Sequence, residues 1–232
     1  MTLARACIAV QACAGDPDEG RSPPCLPPWW GATLDATMTQ TPPLGLGPGP
    51  RRPATLADLE AVPSDRTAHL LGGKLYTFPR PRHRHEKALT RLLVRLGPFD
   101  PDASGLAGPG GWLFLVEPEL RLGSERAVPD LAGWRREGLD ENLLDPYPTI
   151  APAWVCEVLS PSTEVFDRGD KATYFQRIGV SWLWFVDPEA QTLEVYENDA
   201  GQFRQCQRRQ GAVDVAAPPF DALTWPLGAL WG

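Results

Sequence analysis

The sequence predicts an α/β protein, a mixed β-sheet flanked by helices, preceded by a disordered N-terminal extension. Two observations lead there. Downstream of a glycine hairpin the apolar patterns run helix, strand, strand, strand, helix, strand, an order that suits strands sandwiched by helices. Proline crowds ahead of Ala54, as Pro-Pro at 23–24, 27–28 and 42–43 and in the run Gly45-Leu-Gly-Pro-Gly-Pro50. That stretch has no periodic apolar face to offset its ordering entropy. Residues 1–53 therefore read as the extension, with a Trp29-Trp30 pair of unassigned role, and 54–232 as the domain.

Thr55-Leu-Ala-Asp58 has the capping pattern of a short helix that stops near Pro63. Ala68–Leu71 and Lys74–Phe78 flank Gly72-Gly73, the residues a tight hairpin needs where φ is positive. From about His85 to Leu96, Ala88, Leu89, Leu92, Leu93 and Leu96 recur at helical spacing, with Arg84, Lys87, Arg91 and Arg95 on another face. Strands are expected at Trp112–Arg121, Ala127–Trp134 and Ala153–Ser160. A helix over Glu164–Ile178 ends at Gly179, and Ser181–Val186 is a strongly apolar strand. Thr192–Tyr196 and Gln202–Gln207 alternate like outer antiparallel strands, whose open edges suit a homodimer. Phe220, Trp225, Leu227 and Trp231 read as a loose C-terminal wrap.

The net charge of −7 excludes a protein that grips nucleic acid with its whole surface, because phosphate neutralisation supplies most of that affinity. Any DNA contact must be local or bridged by a metal. The five cysteines, Cys7, Cys13, Cys25, Cys156 and Cys206, show no zinc spacing and point to a reducing, cytoplasmic setting. No apolar run approaches the roughly 20 residues that span a bilayer, so no membrane is expected. The leader's Ala6-Cys-Ile-Ala-Val10 is short and broken by Gln11, which falls short of a secretory signal; Met38 is an alternative start.

Glu157 stands in Trp154-Val-Cys-Glu-Val-Leu159, with apolar neighbours on both sides. A carboxylate in such a strand faces a steep desolvation cost unless it is paired, protonated or metal-bound. Asp130, after Pro129, interrupts an extended apolar pattern on the preceding strand. Two acids on adjacent strands can converge on one hard cation, Mg²⁺ or Mn²⁺, which prefers oxygen ligands. Lys171, four residues beyond Asp167, reads alone as half of a surface helix pair. The link Ser160-Pro-Ser-Thr163 is short, however, so the helix starts close to Glu157 and a cation there could stabilise developing negative charge. The basic face of the earlier helix, with Arg84, Lys87, Arg91 and Arg95, could form a DNA rail that Arg80, Arg82, His83, Arg84 and His85 precede or open, and His85 falls on the apolar phase of that helix.

These residues carry a pattern. Val128-Pro-Asp130, Pro152-Ala-Trp-Val-Cys-Glu-Val-Leu-Ser-Pro-Ser-Thr163, Asp167, Lys171, Gly179-Val180 and Trp184-Phe-Val-Asp-Pro188 resemble the Uma-two family of inferred restriction endonucleases, within the PD-(D/E)XK nuclease superfamily. The resemblance runs from about Thr55 to Tyr196 and implies a restriction-endonuclease-like fold, a Mg²⁺- or Mn²⁺-dependent endonuclease activity and DNA as substrate. It also implies Asp130 and Glu157 as metal-binding acids. The superfamily's lysine normally stands two residues after the second acid, where this chain has Leu159; in this family it migrates onto the following helix, which points to Lys171. His85 looks like the histidine that opens the family's first core helix. Two departures stand out. His69 occupies the place of an acid before the hairpin glycine, and Trp182-Leu183 replace an acid and a tyrosine. They keep open a rival reading, a nuclease-fold interaction module with weakened or lost turnover.

Overall fold

The computed structural model describes residues 52–80 and 83–232. The extension over 1–53 lies almost wholly outside the described residues, as does Arg82 of the basic rail. Helix α1 (Leu56–Glu60) starts where Thr55 donates its backbone N–H and its hydroxyl to Asp58 Oδ2, at 2.7 and 2.8 Å. Strands β1 (Arg66–Leu71) and β2 (Lys74–Pro79) pair antiparallel around Gly72 and Gly73, both at positive φ. Helix α2 (His83–Leu96) buries His85, Ala88, Leu89, Leu92 and Leu96 on one stripe, and a short α3 (Pro101–Ser104) follows.

The strands expected at Trp112–Arg121 and Ala127–Trp134 are each broken in two. β3 (Trp112–Val116) and β4 (Leu120–Leu122) flank Glu117-Pro118, and β5 (Glu125–Ala127) and β6 (Leu131–Arg135) flank Val128-Pro129-Asp130. Proline has no N–H for a ladder, and Glu117 takes a φ of 45°. At both points the chain leaves one sheet for another. β2-β1-β5-β4 form a small antiparallel sheet, while β3 and β6 join the large one. The breaks lie side by side, with the Glu117 N–H donating to the Asp130 carbonyl at 3.0 Å. Asp130 thus sits at the mouth of β6 rather than within a strand.

In the large sheet β7 (Trp154–Val158) pairs antiparallel with β6 and parallel with β8 (Trp182–Asp187); β9 (Thr192–Asp199) and β10 (Gln202–Gln210) continue antiparallel. The order β10-β9-β8-β7-β6-β3 is a mixed sheet. The β7–β8 crossover holds α4 (Glu164–Phe166), a π-helical turn (Asp167–Lys171) and α5 (Ala172–Arg177), ended by Gly179 at φ 85°.

Successive strand residues face opposite sides. Trp154, Cys156, Val158, Trp184 and Val186 pack with the buried stripe of α2. Glu157, Phe185 and Glu194 face the crossover helix. The C-terminal segment is no loose wrap: β11 (Asp214–Val215) pairs with β12 (Trp225–Pro226), and Phe220 is fully buried. Its ring lies 4.9–5.5 Å from those of Phe99, Trp112, Phe114, Trp154 and Trp184. Among the described residues no helix is long and apolar enough to cross a membrane.

Candidate active site

Strand β7 enters the core as an apolar run, so Glu157 is 0% exposed. The π turn supplies its partner. Lys171 Nζ donates to Glu157 Oε2 at 2.7 Å and to Asp167 Oδ1 at 3.3 Å, and both turn residues are buried. Burial would strip the Lys171 ammonium of its proton, but Glu157, Asp167 and Asp130 outweigh it and raise its pKa. Burial pushes the Glu157 carboxyl well up, with Asp130 and Asp167 adding to the push against Lys171. Asp167 is raised for the same first reason. One ammonium faces three acids, and the pocket is short of positive charge.

The β6–β7 register pairs Leu131 with Cys156, which brings Asp130 to the Glu157 end of the sheet. Asp130 Oδ2 accepts the Val158 N–H at 2.7 Å and His85 Nε2 at 2.9 Å. Burial works to raise Asp130, yet the His85 bond and charge, Lys171 and the backbone N–H together hold it below the usual range. Burial would lower His85, but the bond to Asp130 and that carboxylate's charge leave it raised.

His69, on β1, is also buried. Its Nδ1 accepts the Val128 N–H at 3.2 Å, which assigns the proton of the neutral ring to Nε2. Burial, then the Lys171 charge, keeps this imidazole well below its ordinary pKa. Where the family pattern has an acid, this chain therefore presents a neutral donor.

His69, His85, Asp130, Asp167 and Lys171 line one cleft of about 580 Å³, with Arg80, His83 and Arg84 on one rim and Ser160, Ser162 and Thr163 on another. Of the five residues singled out in the sequence, four reach the cleft wall, and Glu157 lies behind Lys171. The basic rail is shorter than expected, since Arg91 and Arg95 line a separate groove with Val94 and Ala229. Sequence reasoning missed the buried state of Asp167, which reads as half of a surface pair. It also missed two contacts that fix the π turn: Tyr76 Oη donates to Asp170 Oδ2 at 2.5 Å, and Arg168 pairs with Glu194 at 2.8 Å. Charges one and three residues before Lys171, Asp170 and Arg168, were the available signal.

No group of three or more His, Cys, Asp or Glu arranged to hold a metal ion occurs among the described residues. The donors nonetheless fit a hard divalent cation. Glu157 Oε1 is buried with no hydrogen-bond partner, the anionic excess calls for a cation, and Mg²⁺ commonly takes one or two carboxylates and completes its shell with water and phosphate.

A mixed sheet carrying two acids and a lysine at a cleft defines the class, a restriction-endonuclease-like protein. Residues 53–227 match Uma2, described as "Putative restriction endonuclease", and the chain belongs to that family. The chain is also similar to a crystal structure described as "a putative nuclease belonging to DUF820" from Anabaena variabilis, with a TM-score of 0.60 and 21% identity over 77% of this chain and 98% of that one. At that identity the likeness speaks to the fold. No curated protein matches the chain.

Proposed function

We propose that the protein is an endonuclease that hydrolyses DNA phosphodiester bonds with Mg²⁺ or Mn²⁺ held by Asp130 and Glu157. The observation that carries this reading is the Lys171–Glu157 contact of 2.7 Å, with the second Glu157 oxygen buried and unpartnered beside the cleft. A bound divalent cation would polarise a phosphoryl oxygen and lower the pKa of an attacking water. The chain's own groups supply the rest. Lys171, with its raised pKa, stays an ammonium near neutrality, so it orients the nucleophile and stabilises negative charge on the phosphorane rather than acting as a base. His69 offers Nε2–H to a phosphoryl oxygen. His85 fixes the Asp130 carboxylate through Oδ2. Arg80 and Arg84 supply local attraction for phosphate in a chain of net charge −7.

The test is nicking of supercoiled plasmid with Mg²⁺ or Mn²⁺ by wild type, Glu157→Ala and Lys171→Ala. Wild type should nick, and each variant should lose about 10²-fold or more of the rate. Equal activity in all three proteins overturns the reading. His69 in the place of an acid favours one rival, a nuclease-fold interaction module without turnover. Calorimetry that finds no Mn²⁺ binding at millimolar metal would decide for it.

A further inference from the structure

The π turn docks on the sheet twice. Glu157, Phe185 and Glu194 are cross-strand neighbours on β7, β8 and β9. Lys171 lands on the first of these. Arg168, from the same turn, lands on the third: its Nη1 and Nη2 donate to Glu194 Oε2 and Oε1 at 2.8 and 3.2 Å. The guanidinium lies 4.8 Å over the Phe185 ring, and Nε donates to Glu164 at 2.9 Å. Glu194 is itself fixed, accepting the Tyr196 hydroxyl at 2.9 Å. A partly buried bidentate pair of this kind gives geometric definition that a lysine would not. The π-helical turn is a rare conformation that needs support from outside. Neither Arg168 nor Glu194 lines the cleft.

We infer that the Arg168–Glu194 pair is a positioning device: it holds the π turn in the register that sets the Lys171 ammonium against Glu157. Its effect on turnover rests on the nuclease reading above; its effect on the lysine does not.

The full-length protein is compared with Glu194→Gln and Arg168→Lys, each checked for a cooperative melt. The second variant keeps the charge and loses the fork, and carries both measurements if the first does not fold. In the first measurement, acetylation of Lys171 is followed by mass spectrometry against exposed Lys74 and Lys87, the chain's other lysines. Lys171 should be protected in wild type and react about tenfold faster in the variants, as local opening frees it. In the second, kcat for plasmid nicking should fall about 10- to 100-fold while KM changes less than about twofold. That loss should vanish in a Lys171→Ala background, because the pair acts through the lysine. Unchanged labelling in a folded variant, or losses that multiply with Lys171→Ala, overturns the proposal. A wild type with no nuclease activity rejects the nuclease reading, and the labelling still decides whether the dock exists.

Discussion

Glu157 keeps one oxygen on Lys171 and the other unpartnered, and this asymmetry has a pH signature. Glu157 and Asp167 both have folded-state pKa values above their ordinary ones. Their contribution to stability is therefore complete below the ordinary carboxylate range and is lost as pH rises through the raised values. A divalent cation held by Asp130 and Glu157, as proposed above, would counter that loss. At a hundredfold excess over its Kd, Mn²⁺ should raise Tm by about 5–10 °C at pH 8, by less at pH 5, and not at all in Glu157→Gln. Calorimetry at both pH values checks this, and an equal shift in the variant would place the metal elsewhere. Glu157 was legible in the sequence because a carboxylate inside an apolar strand declares its own cost. Asp167, Arg168 and Glu194 were not. A charge on a helix or an outer strand reads as solvated, and only tertiary partners, which a single sequence does not display, reveal that it is buried.

At the scale of elements, the helix after β7 was legible as the stretch that follows Pro161, and its stop in Gly179 itself. The π turn was not, since a single widened turn leaves no periodic trace. It widens the helix by one residue where Asp167 and Lys171 both face the cleft. Deleting Gly169 should let the helix close as an α-helix. We expect a folded protein whose melting temperature drops by about 10 °C, because the buried Lys171–Glu157 pair is broken, while nicking falls about 100-fold as Lys171 swings out of register. Circular dichroism and the plasmid assay together read this out; retained activity would show the turn to be incidental. The split strands were partly legible. Pro118 and Pro129 mark both breaks in the sequence, but apolar residues resume beyond each, at Leu120 and Leu131, so two long strands are the simpler reading. The physical cause is a change of sheet, and it is what delivers Asp130 to the end of β7.

For the whole molecule, the order of elements foretold the mixed sheet, while the extent to which the C-terminal segment completes the core did not show. Phe220 touches five other aromatic rings, all of them distant in the chain. Phe220→Ala should cost about 3–5 kcal/mol in guanidinium unfolding. A loss below ~1 kcal/mol would mean that the segment rests on the sheet without closing it. Charge distribution sets a second expectation. Among the described residues, Arg80, His83 and Arg84 are the basic groups on the cleft rim at the α2 side, so under the proposed reading DNA affinity should fall with salt along a log–log slope of about −2 to −3. A slope near −8 would demand a binding face beyond the cleft.

The aromatic cluster also has a history in time. Trp112, Trp154 and Trp184 leave the ribosome well before Phe220 does. At translation speeds of about 5–20 residues per second, Trp112 waits roughly 5–20 s for the ring that will cover it. From the emergence of Trp184 until that of Phe220, roughly 2–7 s, all three indoles lack the ring that packs among them. Each newborn copy therefore has a window in which a chaperone, or a neighbour on the same message, can reach those indoles first.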